Sequence, residues 1–314
     1  MKVTALAGGV GGARLASGLA RLLTPDDFAV VVNTGDDFIY SGLLVCPDLD
    51  TVTYTLAGIN DPSNGWGIKN DTRQVLNALE QIGHPIWFSL GDRDIATHIE
   101  RTRLIALGYS LTETTEFISK KLNVENAILP MTDSVVRTMI ETEEYGVIAF
   151  QEYFVRHHFQ PVVKKIFFDG FENAILSDEL QSKIVSSDLI VMCPSNPFVS
   201  IDPILSIPCI RDLLKEKVLI AVSPLIGGKT VKGPAGKMMI EMGFTPSSLN
   251  IAKHYGDLLS GIVIDHLDHD DAELIRRCGI IPLETEILMP NNATQTRLAK
   301  EVLEFGNHII NKDH

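Results

Sequence analysis

Val3-Thr4-Ala5-Leu6-Ala7-Gly8-Gly9-Val10-Gly11-Gly12-Ala13-Arg14 is the stretch on which the fold class turns. Five uncharged, mostly apolar residues read as a buried β-strand, and the glycines that follow at once read as a tight passage into a helix over Ala13–Leu23. Glycine lets the backbone approach an anion, and a helix N-terminus presents free amides and a positive dipole end. The pattern is not the dinucleotide fingerprint, because counting from Gly9 puts Arg14 where the third glycine belongs. Nor is it a Walker A loop, which would close on Gly-Lys-Ser/Thr. A phosphate or nucleotide cradle is the functional reading; a plain strand–helix turn is the alternative.

Working outward, the rhythm repeats. Ala29–Val32, Leu189–Met192, Val218–Val222 and Gly261–Ile264 read as further buried strands rich in β-branched residues. Helical patterns cover about Thr72–Gln81, Leu111–Leu122, Asp178–Val185, Ala235–Met242, Ala272–Cys278 and Thr294–Ile310, with Ser110 and Glu113 spaced as a capping box. Alternating strand and helix predicts an α/β chain with a doubly wound, mainly parallel sheet. From Ala127 to Phe168 the pattern is instead mostly strand, with a turn at Glu143–Gly146 and an aromatic, basic run at Tyr153–His158. The expectation is one domain over residues 1–314 with a small antiparallel α+β insertion at about 127–168.

The 314 residues are 45% hydrophobic and 21% charged, enough apolar material for a core, and the formal net charge is −13. That balance argues against a general nucleic-acid partner, which would need a basic face. It leaves room for a small phosphorylated ligand held by amides and a divalent cation. No uncharged apolar run reaches membrane-spanning length, and the N-terminal apolar run is too short for a signal peptide, so the expected setting is cytoplasmic without a membrane partner. Cys46, Cys193, Cys209 and Cys278 lie too far apart to suggest zinc or a disulfide frame.

Other candidates fall at strand ends, where ligands of open parallel sheets collect. Asn33-Thr34-Gly35-Asp36-Asp37 follows the second strand, and Asp48-Leu49-Asp50 sits in the same loop region. Their carboxylates suit a divalent metal or ribose hydroxyls. Trp87-Phe88-Ser89-Leu90-Gly91-Asp92-Arg93-Asp94 offers rings for stacking and a polar turn, with His98 beyond it reading as a packed or capping histidine. Cys193-Pro194-Ser195-Asn196-Pro197 and Ser223–Thr230, the latter with a Gly227-Gly228-Lys229 tip, supply hydroxyl, amide and ammonium groups. The acidic Asp265–Asp271 run reads as a solvated helix cap.

In their order, Gly8–Arg14, Asn33–Phe38, Trp87–His98, Leu129–Asp133, Ser195–Pro197 and Ser223–Ala235 resemble the 2-phospho-L-lactate transferases of coenzyme F-420 biosynthesis over nearly the whole chain. The resemblance implies a Rossmann-like homodimer and a reaction. A guanosine diphosphate ester of 2-phospholactate, or of a related phospho-acid, passes its phospho-acid to the ribityl hydroxyl of the deazaflavin Fo and releases GMP. It implies Mg²⁺ on Asp36 or Asp37 together with Asp50, these three also being the candidate catalytic carboxylates. Thr34 and the amides of Gly9, Gly11 and Gly12, helped by Lys229, would hold the diphosphate; Ser195 and Asn196 would hold the nucleotide. Asp50, Ser89, Asp92 and Trp87 would meet the deazaflavin, although relatives often carry a basic residue where this chain has Ser89. A non-catalytic nucleotide-sugar-binding regulator of similar fold is the rival; such regulators tend to carry Asp-Asp-Gly-Gly-Ser where this chain has Asp36-Asp37-Phe38-Ile39.

Overall fold

A computed structural model describes residues 1–312. Seven strands form one parallel sheet: β1 (Val3–Ala7), β2 (Phe28–Val32), β3 (Ala127–Pro130), β4 (Leu189–Met192), β5 (Val218–Val222), β6 (Gly261–Ile264) and β7 (Ile281–Glu284). Across the sheet their order is β7-β6-β5-β4-β1-β2-β3. The chain starts in the middle, winds outward through β2 and β3, then returns to β1's other side and winds out again. The reversal falls between β1 and β4, and their carboxyl ends open the crevice that such a switch point creates.

Both faces of the sheet are covered, which is why its strands are continuous apolar runs. Leu6, Val31, Ile190 and Leu219 pack on one face; Ala5, Val30, Val191 and Ile220 pack on the other. Helix α1 (Gly9–Ala20) begins on the second glycine and lies between α2 (Pro47–Leu56) and the C-terminal helix Asn292–Ile310. Gly18 permits the latter contact, since a Cβ there would meet the Gln295 carbonyl oxygen at 2.3 Å. Two more helices, α3 (Gln74–Gln81) and α4 (Asp92–Ala106), pack beside a small hairpin of Phe38–Tyr40 and Leu43–Val45.

The irregular stretch differs in part from its reading. Ala127–Pro130 is not one of the antiparallel strands: it pairs parallel with β2 and forms the sheet's edge, Val31 opposite Leu129. The antiparallel unit has only three strands, Arg137–Thr142 flanked by Gly146–Ala149 and Val163–Asp169. It is tied to the site by the Thr138 amide, which donates to the Gly35 carbonyl at 2.8 Å. Among the described residues no helix is long and apolar enough to cross a membrane.

Candidate active site

The carboxyl ends of β1, β2 and β4 open into a cavity of about 440 Å³. At one end lies the glycine turn. Gly9 has φ of +61°, a conformation that glycine alone adopts without strain. Two first-turn amides are already engaged, Gly8 N donating to Ser195 Oγ at 3.1 Å and Gly9 N to Asp48 Oδ1 at 2.8 Å. The Ser195 hydroxyl returns a hydrogen bond to the Gly8 carbonyl at 2.8 Å. Helix geometry leaves the amides of Val10 and Gly11 for a ligand. Gly11 is fixed by crowding, because a Cβ there would stand 2.3 Å from the Pro194 carbonyl oxygen.

Four expectations change here. Gly9 does not offer its amide outward, since Asp48 takes it. Gly12 faces Ser195 Oγ and Ala7 rather than the cavity, and serves close packing of α1. Ser195 lines the cavity but spends its hydroxyl on the glycine turn; Asn196 lines it too, with its side-chain oxygen accepting from Phe198 N at 3.0 Å. Thr34 is buried and off the cavity wall.

Asp36 and Asp48 meet on the floor. Asn33 organises them, donating Nδ2 to Asp48 Oδ2 at 3.0 Å and accepting from the Gly35 amide at 2.8 Å. Asp36 is buried, and among the described residues its Oδ1 has no hydrogen-bond partner. Burial, then the neighbouring Asp48 carboxylate, pushes its pKa well above the carboxylate range. Burial pushes Asp48 up to about 6 despite the hydrogen bonds from Asn33 and Gly9. Facing buried carboxylates with an unpartnered oxygen fit a divalent cation, which would return both to the ionised form. Asp37 does not join them: it is buried beside Cys46 and Arg137, burial lifts it to about 7, and it is absent from the cavity wall.

Asp50 lines the cavity but does not fit as a metal ligand. Both its oxygens bind Arg101, Oδ2 accepting from Nη1 at 3.1 Å and Oδ1 from Nη2. Burial opposes the guanidinium charge, but Asp50, with Cys46 and Tyr54, more than offsets it and holds the Arg101 pKa above its ordinary value. Asp50, Asp94 and His98 do bring ligand-type atoms within 4.8 Å of one another. Arg101 already supplies the positive charge there, and Asp94 Oδ1 accepts from the Tyr54 hydroxyl at 2.7 Å. Asp94, His98 and Arg101 share one face of α4 at i, i+4 and i+7, a constellation visible once the helix is recognised.

Part of the cavity wall is aromatic. Trp87 and Phe88 are loop residues rather than strand residues, packed on Phe38 with ring centroids at 5.6 and 4.9 Å, and both line the cavity beside Ser89. Asp92 does not reach it: its carboxylate caps α3 through the amides of Gln74 and Val75 at 3.0 and 2.9 Å, with the Thr72 hydroxyl as a further donor. Lys229 also stays outside, on a hairpin whose Gly227 and Gly228 amides are tied to Asp268 at 3.2 and 3.0 Å. The Asp265–Asp271 run is thus partly a loop anchor rather than a solvated face. Lys232 and Arg14 line the cavity instead, and burial, then Arg14, lowers the Lys232 pKa. Lys232 holds the Asn64 carbonyl, part of a loop that brings Trp66 to the wall.

The family model for 2-phospho-L-lactate transferase CofD matches residues 3–288. The chain belongs to this family. It is 39% identical over 300 residues to 2-phospho-L-lactate transferase of Methanosarcina acetivorans, covering 96% of each chain. It is also 42% identical over 283 residues to phosphoenolpyruvate transferase of Thermobifida fusca, covering 86% of this chain and 88% of that one. The enzyme of that name from Streptomyces griseus is 38% identical over 316 residues, covering 98% and 99%. In three dimensions the chain is similar to a UPF0052-family protein of Bacillus halodurans, with a TM-score of 0.62, 15% identity and coverage of 96% and 98%. That likeness is one of fold. As a member of the transferase family, the chain is a Rossmann-like transferase.

Proposed function

We propose that the chain acts in coenzyme F-420 biosynthesis, transferring a three-carbon phospho-acid from its guanosine diphosphate ester to the ribityl hydroxyl of the deazaflavin Fo and releasing GMP. One observation carries the reading: a single cavity joins a glycine-turn helix N-terminus, an unneutralised Asp36–Asp48 pair and two cations to an aromatic wall. A diphosphate and a flat heterocycle ask for those two surfaces.

In this reading the Val10 and Gly11 amides donate to the diphosphate oxygens, and Arg14 and Lys232 neutralise its charge. Mg²⁺, held by Asp36 and Asp48, would supply charge neutralisation at the diphosphate. Trp87 and Phe88 hold the ring, with Asp50 and Ser89 beside it. Substitution at phosphorus calls chiefly for alignment and charge stabilisation, which these groups provide without a covalent intermediate. A cytoplasmic homodimer belongs to the same proposal. Relatives named for both phospholactate and phosphoenolpyruvate transfer support the phospho-acid class rather than one acid.

The test is incubation with Fo, Mg²⁺ and either the lactyl or the enolpyruvyl guanosine diphosphate ester, followed by mass analysis. GMP together with the phospho-acid adduct of Fo supports the proposal. Nucleotide binding without adduct from either ester overturns it in favour of a binding-only protein.

A further inference from the structure

We infer that His98 is a fixed hydrogen-bond donor to the deazaflavin acceptor, through the Nε2–H of a neutral ring whose tautomer the protein dictates. The inference rests on the proposed function for the ligand's identity, though not for the tautomer. His98 sits in the second turn of α4, 1% exposed, among the residues that line the cavity. Its Nδ1 lies 3.1 Å from Arg101 Nη1. A guanidinium has hydrogens to give and no lone pair to accept with, so Nδ1 must be the acceptor. Asp50 Oδ2, the other neighbour of Nδ1, is farther at 3.6 Å and already accepts from the same Nη1. The single ring proton therefore belongs to Nε2.

Among the described residues Nε2 has no hydrogen-bond partner. The nearest carboxylate oxygen, Asp94 Oδ1, stands 3.5 Å away and is bonded to the Tyr54 hydroxyl. An unmet donor at this depth is rare in a folded protein, and on a cavity wall a bound ligand can supply the missing acceptor. The deazaflavin ring carries carbonyl oxygens and ring nitrogens of that kind, and Trp87, Phe88 and Ser89 line the same cavity. With Nδ1 committed and Nε2 protonated, His98 is not the base that takes the hydroxyl proton. It reads the heterocycle.

Nitrogen-15 NMR of histidine-labelled protein tests this, with His98→Gln assigning the signal among nine histidines. The expected result is a neutral Nε2–H ring whose Nε2 shifts when Fo is added. Absorbance titration should show His98→Phe weakening Fo by roughly tenfold, the scale of one lost hydrogen bond. His98→Gln, which keeps a donor, should bind more tightly than His98→Phe, and calorimetric affinity for GDP should be unchanged in both. Retained GDP affinity also shows that a variant has folded. An Nδ1–H tautomer, or Fo bound with Nε2 unmoved, overturns the inference alone. Failure of the wild-type protein to bind Fo overturns the proposed function and the ligand assignment together.

Discussion

Replacing Arg101 by Met is the sharpest test of how the site holds its charges. The Arg101 and Asp50 side chains are 4% and 8% exposed, and the guanidinium also reaches His98 Nδ1 and the Leu44 carbonyl. Methionine fills similar space but leaves the Asp50 carboxylate buried without a counter-charge. Removing one partner of such a pair costs about 3–5 kcal/mol. For a chain of this size, at roughly 2 °C per kcal/mol, the melting temperature should fall by about 6–10 °C. The double variant Asp50→Leu/Arg101→Met removes both charges and should recover most of the loss, since apolar replacement of a whole buried pair is often neutral. The assay is a thermal melt followed by circular dichroism with EDTA and again with Mg²⁺. A single variant melting within about 2 °C of wild type would mean the pair is hydrated, and the case against Asp50 as a metal ligand would fall. Recovery of the single variant by Mg²⁺ alone would have the same consequence.

Gly11→Ala forces a Cβ to 2.3 Å from the Pro194 carbonyl oxygen; it should cost about 1–3 kcal/mol of stability and weaken GDP, while unchanged calorimetric affinity would remove the turn from the nucleotide site. Lys232→Ala should weaken the guanosine diphosphate ester and leave Fo binding intact, whereas Lys229→Ala should change neither; the opposite order in direct titrations would restore Lys229 to the site. The Asp268 pKa is raised, burial outweighing the Gly227 and Gly228 amides. Its stabilising contribution is therefore complete below the unfolded carboxylate pKa of about 4 and lost as pH rises through the folded value. Asp268→Asn should flatten that decline in melts taken over an acid-to-neutral series, and an unaltered slope would contradict the assignment.

Much of the framework was legible because each buried strand is a short β-branched run. Val3–Ala7, Leu189–Met192, Val218–Val222 and Gly261–Ile264 match their readings residue for residue. β7 was missed because Pro282 interrupts it, which an edge strand tolerates. α2 was missed because Thr51, Val52, Thr53 and Thr55 depress helix propensity; Pro47 at its first turn and the acids behind it were the available start signal. That omission moved the site. As loop residues, Asp48 and Asp50 could both turn toward a metal. On a helix, positions two apart point about 200° apart, so Asp48 meets the glycine turn while Asp50 meets Arg101. Reading Asp92 as a turn residue hid α4 in the same way, and with it the face that carries Asp94, His98 and Arg101.

The two acidic centres of the cavity then answer different electrostatic problems. Around Asp50 the protein supplies its own cation from α4, so that centre is complete before any ligand arrives. Around Asp36 and Asp48 it supplies only amide donors from Asn33 and Gly9, leaving one oxygen of Asp36 unpartnered and both pKa values raised. Burying two ionisable carboxylates together without a counter-ion works against folding, and such arrangements persist mainly at functional sites. With a net charge of −13 the chain has little surplus lysine or arginine to spend on a diphosphate. A cation shared between this carboxylate pair and the phosphates would relieve both deficits at once.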